Sequence, residues 1–220
     1  MNRFALIVFA RAPIAGRTKT RLVGSLGATG AALLYARLLL NTLRQVETLD
    51  IERLLYVDDL AARAYFESRL MTEQWQIHVQ RGDDLGSRMA NAFAEILPDR
   101  TAAILIGSDI VDFSAGDIVD ARRRLASGDD AVLGPSADGG YWLIGLRQPA
   151  PGLFEAMDWG TATVYAATSK RLNASGRNWT AVALRHDIDT ADDLARQATA
   201  IDQLPLATAT DLAQAPVLAS

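Results

Sequence analysis

The sequence predicts an α/β domain of three layers, in which helices cover both faces of a mixed, mainly parallel sheet of about seven strands. Short β-rich apolar runs alternate with longer stretches of helical period, which is typical of βα units around a parallel sheet. Half of the 220 residues are hydrophobic, which is enough for one large core. We see no internal repeat and no linker, so we expect residues 1–204 to form a single domain.

The strands are predicted where the apolar runs are short and rich in β-forming residues. They are Phe4–Ala10, Arg53–Val57, Trp75–Gln80, Ala102–Ile106, Ala131–Gly134, Tyr141–Gly145 and Thr180–Leu184.

The helices are predicted where apolar residues recur every three or four positions. They are Ala28–Val46, Leu60–Leu70, Asp84–Leu97, Ser114–Ala126, Val164–Ala174 and Ala191–Leu204. In the first of them, one face carries Leu33, Leu34, Leu38, Leu39 and Leu43.

Two of the predicted helices begin with a capping signal. Ser114 has Asp117 three residues later, and Thr190 has Asp193, which is the capping-box spacing with Asp in place of Glu. After the last helix, residues 205–220 are rich in Ala and Thr, so we expect a loosely ordered extension there.

Composition excludes several classes of protein. The 22 basic and 26 acidic residues give a net charge of −4, which provides no general attraction to nucleic acid. The chain has no cysteine, which excludes disulfides, thiolate metal sites and a cysteine nucleophile. The first apolar run is interrupted by Arg11 and Pro13, so it predicts a buried strand rather than a signal peptide. We expect no membrane span and a cytoplasmic location; no oligomeric state is predicted.

The loop after the first strand concentrates positive charge. It contains Arg11, Arg17, Lys19 and Arg21, together with Gly16. Ligands of open α/β sheets bind outside the carboxyl ends of the strands, where these cations could neutralise phosphates and the glycine could let backbone amides approach. The loop has neither the Walker spacing nor the dinucleotide glycine pattern. The alternative is a solvated basic loop.

Carboxylates follow two further predicted strands. Asp109 comes after the strand Ala102–Ile106, while Asp187 and Asp189 lie beyond Thr180–Leu184 and share one side of an extended segment. One or two carboxylates are what Mg²⁺ commonly takes from a protein, so the three aspartates are candidate metal ligands. The alternative is helix capping by Asp109, or by one of the other two together with Thr190.

Another candidate segment combines a carboxylate, paired glycines and aromatic residues. Asp138 precedes Gly139 and Gly140, and Tyr141 and Trp142 follow. The glycines permit close backbone approach to a ligand, and one of the aromatic rings could stack on it while the other faces the core. The alternative is an ordinary tight hairpin.

Three more residues are candidates for ligand contact: Arg88, Trp159 and Thr161. Arg88 could reach a phosphate or pair with Asp84 on a helix surface. The two histidines, His78 and His186, do not form a zinc motif. A hydrolase triad of Ser108, His186 and Asp187 is disfavoured because no nucleophile-elbow pattern surrounds the serine.

Taken in order, these motifs resemble a bacterial family assigned as glycosyltransferases of the GT-A, nucleotide-diphospho-sugar transferase fold. The resemblance covers about Phe4 to Leu194 and rests on several motifs. They read FARAPIAGRTKTRL, DDLGSRM, IGSD, GPSADGGYWLIGL, WGT and DIDTADDL. More distantly, the chain is similar to guanylyl- and cytidylyltransferases, including 2-phospholactate guanylyltransferase and the molybdenum-cofactor enzymes.

The resemblance implies a seven-stranded mixed sheet and a Mg²⁺ or Mn²⁺ ion that joins Asp109 to a nucleotide diphosphate. It further implies that Lys19 and Arg21 hold phosphates, and that Asp187 or Asp189 completes the metal site. Asp138, with the Gly139-Gly140 turn, would contact the sugar or acceptor and could act as base.

The chain departs from the family pattern at the metal aspartate. Ile110 and Val111 replace the usual Cys-Pro, and no D-x-D motif is present, since Asp112 lies three positions after Asp109.

Three functions are consistent with these motifs. The first is metal-dependent glycosyl transfer from a nucleotide-diphospho-sugar to a small-molecule acceptor. The second is nucleotidyl transfer from a nucleoside triphosphate to a phosphorylated small molecule with release of pyrophosphate. The third is a nucleotide-binding module without catalysis, against which the set of Lys19, Asp109 and Asp187 argues.

Overall fold

A computed structural model describes residues 3–70 and 73–207 of the chain. Within these ranges seven strands form one sheet in the order β3-β2-β1-β4-β6-β5-β7. The strands are β1 Phe4–Ala10, β2 Glu52–Val57, β3 Gln76–Val79, β4 Ala102–Ile106, β5 Ala131–Pro135, β6 Tyr141–Leu146 and β7 Trp179–Ala181. Strand β6 runs antiparallel to β4 and β5, and the other neighbours are parallel. The predicted mixed, mainly parallel sheet is therefore confirmed.

Helices connect most of the strands. The α-helices in the described ranges are α1 Val23–Glu47, α2 Leu60–Glu67, α3 Leu85–Ile96, α4 Ala115–Ala126, α5 Val164–Ala174, α6 Ala191–Arg196 and α7 Ala198–Asp202. Short 3₁₀ turns occupy Thr20–Leu22, Leu97–Asp99 and Pro151–Leu153.

Strand alternation explains the three layers. Along β1, Leu6 and Val8 point to the side that packs against α1, α2 and α4. Ala5 and Ile7 point to the other side, which packs against α3 and α5. Because successive side chains of a strand point to opposite faces, each buried strand contributes to both cores.

The long helix α1 has two buried sides. Leu39 and Leu43 face the sheet, and Leu34 and Leu38 pack in a third cluster with Ile188. The helical stretch Thr20–Glu47 is long and apolar enough to cross a membrane by length and composition alone. In this fold 44% of the most apolar window of that stretch is buried inside the protein.

The end of the described chain differs from the prediction. The prediction of a single helix over Ala191–Leu204 is wrong, because Gln197 leaves the helical conformation and separates α6 from α7. Neither short helix has a fully buried residue, and helices depend on tertiary packing for most of their stability. Of the predicted extension 205–220, residues 208–220 lie outside the described ranges.

The two predicted capping boxes are confirmed. Ser114 and Thr190 are the N-caps of α4 and α6, paired with Asp117 and Asp193. Strand β7 is shorter than predicted, and beyond it the chain runs irregularly along the sheet edge, as shown by the hydrogen bond from Val182 N to Leu133 O. This irregular segment carries the chain to Asp187.

Candidate active site

A cavity of about 630 Å³ opens at the carboxyl edge of the sheet, where β1 and β4 end side by side. It is lined by the loops after β1, β3 and β4, by the β5–β6 hairpin, and by residues 159–161, Asp187 and Asp189. Open α/β sheets bind ligands at this edge, and the volume lies within the range of small-molecule sites.

Most of the residues that the sequence singles out line this cavity. They are Arg11, Lys19, Arg21, Arg88, Asp109, Asp138, Gly140, Tyr141, Trp159, Thr161, Asp187 and Asp189. The exceptions are Gly16 and Gly139, which do not line it and instead adopt φ angles of 79° and 90°. Glycine adopts this left-handed region without a steric penalty, so both residues shape the turns that carry their neighbours.

The basic loop folds back on itself before α1 begins. The carbonyl oxygen of Ile14 accepts hydrogen bonds from Arg17 N at 3.0 Å and Thr18 Oγ1 at 3.2 Å. Lys19, which follows, has a left-handed backbone with φ 48° and ψ 45°. This conformation costs a non-glycine residue about 1–2 kcal/mol, so favourable contacts of the side chain must offset it.

The side chain of Lys19 contacts two carboxylates. The Nζ of Lys19 lies 3.0 Å from Asp109 Oδ2 and 2.6 Å from Asp189 Oδ1, and the lysine side chain is only 6% exposed. Burial by itself would lower the pKa of Lys19, but the two carboxylates outweigh it and raise that pKa above its ordinary value. The ammonium therefore stays charged and joins three segments that are far apart in the sequence.

Lys19 in turn lowers the pKa of its partner Asp109. Burial would raise the pKa of Asp109, yet the ammonium of Lys19 holds it below its usual range. Arg21 approaches Asp189 from the exposed side, with its guanidinium nitrogen 3.8 Å from Oδ2. Negative and positive side chains therefore alternate beside the first loop, in the order Asp109, Lys19, Asp189 and Arg21.

Asp187 has a different environment. It accepts a hydrogen bond from Ser136 Oγ at 3.0 Å. Burial, followed by the nearby carboxylates of Asp138 and Asp109, raises the pKa of Asp187 to about 6. Negative charge therefore accumulates here, and a cation would stabilise it.

Tyr35 on α1 is a site residue that the sequence reasoning missed. Its hydroxyl accepts a hydrogen bond from Arg11 N at 2.9 Å and lies 2.9 Å from Ser108 Oγ. Because the tyrosine and the serine are both buried, this contact joins the basic loop to the turn before Asp109. A tyrosine on a leucine-rich face is the one available signal, since a buried hydroxyl needs a partner.

The segment around Asp138 forms the β5–β6 hairpin, so the structural alternative for it is correct. Asp138 nevertheless lines the cavity, and its Oδ1 accepts a hydrogen bond from Gly140 N at 2.8 Å. A Cβ at Gly139 would lie 2.3 Å from the carbonyl oxygen of Ala162. This close approach fixes the hairpin against the loop that carries Trp159 and Thr161.

The aromatic residues divide as strand alternation predicts. Trp142 is buried against Phe113, and its Nε1 donates to Ala183 O at 3.1 Å. Tyr141 points to the other face, where its ring meets Trp159 edge to face with centroids 6.3 Å apart. Tyr141 and Trp159 therefore form an aromatic wall of the cavity.

Arg88 does not form the predicted alternative pair with Asp84. Its Nε donates to Gly82 O at 3.0 Å, whereas the Asp84 carboxylate caps α3 by accepting from Ser87 N at 2.7 Å. Arg88 lines the cavity.

Gly86 makes room for the aromatic wall, and its replacement tests that role. A Cβ there would lie 2.6 Å from Phe154 O and 2.7 Å from Trp159 Nε1. We expect Gly86→Ala to displace the indole and to lower the free energy of unfolding by about 1–3 kcal/mol, the usual cost of overpacking. Thermal unfolding with near-ultraviolet circular dichroism measures both effects.

Gly24→Ala is the matched control, because a Cβ at that helical position meets nothing within 4 Å. We expect it to leave stability equal or slightly higher. Equal unfolding curves for the two variants would contradict the packing role of Gly86.

The donor set fits a divalent cation held by two carboxylates. Asp109 and Asp187 both line the cavity, and an antiparallel bridge between Ile110 and Asp187 brings their backbones together. Asp189 fits less well, because Lys19 and Arg21 engage its two oxygens. Within residues 3–70 and 73–207 no group of three or more metal-binding side chains forms a cluster, so the three predicted ligands do not assemble as one set. A carboxylate pair is what Mg²⁺ commonly uses when substrate phosphates complete its shell.

Neither Asp187 nor Asp189 caps the last helices, since Thr190 itself is the N-cap of α6. The capping alternative for these two aspartates is therefore wrong. Asp109 is also not a cap, because Ser114 is the N-cap of the next helix.

Solved structures share this architecture. A protein from Desulfovibrio desulfuricans G20, described as a nucleotide-diphospho-sugar transferase, superposes with a TM-score of 0.81 at 26% identity, over 92% of this chain and 98% of its own. Rv0371C of Mycobacterium tuberculosis H37Rv, solved as a complex with manganese, has a TM-score of 0.55 at 16% identity, over 92% and 100%. The inositol-1-phosphate CTP transferase from T. maritima has a TM-score of 0.56 at 13% identity, over 94% and 98%. The last two likenesses show the fold alone.

No curated protein matches the sequence. One family model does, over residues 41–161, which is more than half of the chain. That stretch includes the DDLGSRM motif, Asp109 and the Asp138 hairpin. The chain therefore belongs to the bacterial protein family described as "Uncharacterized protein conserved in bacteria (DUF2064)".

Proposed function

We propose that this protein is a metal-dependent transferase that binds a nucleotide by its phosphates and uses a nucleotide-diphospho-sugar as donor. The observation that carries the proposal is the contact of Lys19 with Asp109 and Asp189, which brings a buried cation and carboxylates together at the ligand edge of the sheet. Nucleotide phosphates need cations, and a metal needs carboxylates. Both are available in one cavity.

The cations of the first loop bind the diphosphate in this proposal. Lys19 and Arg21 lie beside Asp189, and the Arg21 side chain is 70% exposed and able to reach a ligand. Their charge stabilises the nucleoside diphosphate as it leaves. Asp109 and Asp187 would hold Mg²⁺ or Mn²⁺, which when bound supplies further charge stabilisation to the same phosphates.

In the proposed transfer, an acceptor hydroxyl attacks the sugar and a carboxylate of the cavity takes its proton. An acceptor hydroxyl forms a bond to the anomeric carbon while the bond from that carbon to the diphosphate oxygen breaks, and the nucleoside diphosphate departs. The hydroxyl proton passes to a carboxylate, for which Asp138 is our candidate because it is exposed in the cavity and oriented by Gly140 N. Tyr141 and Trp159 provide a flat surface for the sugar or acceptor.

A second candidate is nucleotidyl transfer, and the charge of the first loop favours it. Arg11, Arg17, Lys19 and Arg21 all line the cavity. Four cations suit a triphosphate, whose pyrophosphate leaves when a substrate phosphate attacks the α-phosphorus. In that reaction Lys19 would stabilise the departing pyrophosphate, and no general base is required.

The comparisons support a nucleotide substrate without choosing between the reactions. The neighbour at 26% identity is described as a nucleotide-diphospho-sugar transferase, whereas another neighbour is a CMP-2-keto-3-deoxy-manno-octonic acid synthetase complexed with CTP. We place the reaction in the cytoplasm as part of the same proposal, with a small-molecule acceptor.

The identity of the leaving group tests the proposal. The purified chain is first screened by thermal shift against nucleoside triphosphates and nucleotide sugars, with and without Mn²⁺. Each stabilising nucleotide is then incubated with the protein and a set of sugars and sugar phosphates as acceptors, and the products are separated. Free nucleoside diphosphate supports glycosyl transfer, and pyrophosphate supports nucleotidyl transfer. If no nucleotide raises the melting temperature under any condition, the proposed function is wrong.

A further inference from the structure

Asp112 lies just outside the cavity and makes unusual contacts. It lies in the loop after β4, three positions beyond Asp109. It is not among the residues that line the cavity. Its Oδ1 accepts a hydrogen bond from His186 N at 2.8 Å, and its Oδ2 lies 3.0 Å from His186 Nδ1. Both oxygens of this carboxylate thus contact the residue that precedes Asp187.

These contacts complete a short piece of strand pairing. Ile110 and Asp187 form an antiparallel bridge, and Val111 N donates to His186 O at 2.9 Å. In a regular antiparallel pair the second bond would run from His186 N to the carbonyl of Val111. Here the Asp112 carboxylate takes the place of that carbonyl, so a side chain completes the pairing of the two segments.

The same segment has further contacts through Arg185, whose Nη1 also lies 4.0 Å from Asp112 Oδ2. The guanidinium of Arg185 donates to both oxygens of Asp117 on α4, and Ala137 N donates to Arg185 O at 3.0 Å. Ser136 Oγ then donates to Asp187. Asp187 therefore lies between the hairpin and the loop after β4, and Asp112 is the carboxylate that ties it to the latter.

We propose that Asp112 is a positioning residue that, through His186, holds Asp187 beside Asp109. The inference rests on the proposed function, in which Asp109 and Asp187 together bind the metal. Partners that orient metal ligands typically change metal affinity by about 10- to 100-fold when they are removed. Asp112, three positions after Asp109, then acts through the neighbouring segment and not as a metal ligand.

The test uses Asp112→Ala in the full chain with two measurements. Amide hydrogen exchange without metal reports whether residues 185–190 remain held, and we expect His186 to exchange about 10-fold faster or more, since a bond to a charged acceptor is lost. Electron paramagnetic resonance of Mn²⁺ added alone reports its affinity, which we expect to fall by about 10- to 100-fold.

Two variants distinguish positioning from general damage. Asp112→Asn keeps a carbonyl that can accept from His186 N, so we expect it to restore most of the Mn²⁺ affinity. Asp120→Ala removes a carboxylate that pairs with Arg123 and Arg124 on the surface of α4, and we expect wild-type values for it. If Asp112→Ala does not fold, Asp112→Ser takes its place in both measurements, because its shorter side chain has a single oxygen and cannot contact His186 N and Nδ1 together. Wild-type exchange and affinity in that variant would overturn the proposal.

The outcomes separate this inference from the proposed function. Wild-type exchange and wild-type Mn²⁺ affinity in Asp112→Ala overturn the inference, and so does faster exchange with unchanged affinity. A wild-type protein that binds no Mn²⁺ counts against the metal site of the proposed function. In that case the exchange of residues 185–190 alone decides whether Asp112 holds the segment.

Discussion

Asp109→Ala is expected to abolish the metal-dependent part of any stabilisation by nucleotide. Asp109 is one of the two carboxylates that fit a shared cation, and it lies in the loop after β4, the strand that lies beside β1 at the cavity. A ligand at 100 times its dissociation constant stabilises the folded state by about 2.7 kcal/mol. The metal-dependent share of that gain should vanish in the variant. The measurement is the melting temperature with nucleotide, with and without Mn²⁺.

Asp120→Ala is the control for this experiment, because it also removes one negative charge but lies on the surface of α4. Asp109→Ala leaves Asp189 in contact with Lys19, so the lysine keeps one partner and the protein is expected to fold. An unchanged metal-dependent shift would remove Asp109 from the metal site.

Lys19→Met is expected to destabilise the protein without ligand and to weaken nucleotide binding. It leaves two carboxylates without their shared cation, and breaking a buried pair costs about 3–5 kcal/mol. We expect a value near the lower end, because Asp109 and Asp189 are more exposed than the lysine. Chemical denaturation measures the loss. Binding of Mn²⁺ alone should persist or increase, since the ammonium no longer occupies the carboxylates.

Lys170→Met is the matched control, because Lys170 is the other lysine of the chain and is exposed on α5. We expect it to change stability by less than about 0.5 kcal/mol, as is usual for surface substitutions. A stable Lys19→Met variant with wild-type nucleotide affinity would show that the buried ammonium does not bind phosphate and would count against both candidate reactions.

The two variants also test the proposed reactions from different sides. Loss of Asp109 removes a carboxylate, whereas loss of Lys19 removes a cation that contacts it. If nucleotide affinity depends on Lys19 but not on metal, phosphate binding stands while the metal part of the proposal fails. If both dependences are absent, the cavity has another ligand.

Much of the architecture follows from local patterns in the sequence. The apolar runs predict β1 and β4 with the bounds that the structure has, and the period of α5 is equally clear. Since parallel strands end at one edge, the polar residues that follow β1 and β4 were expected to converge there. Local patterns were weaker where packing is sparse, as in the separation of α6 from α7 at Gln197.

Tertiary structure alone decided which of the converging residues touch. Lys19 meets Asp109 from 90 positions away and Asp189 from 170, and Tyr35 reaches Ser108 across 73. The placement of β6 between β4 and β5 likewise brings the Asp138 hairpin to the cavity. Hydrophobic periodicity describes each segment and its neighbours along the chain, whereas these contacts depend on strand order and on how loops close over the sheet. The sequence therefore determined the layers and the edge of the sheet that carries the polar residues. The tertiary structure decided that Lys19 bridges Asp109 and Asp189, and that Asp112 contacts the segment that carries Asp187.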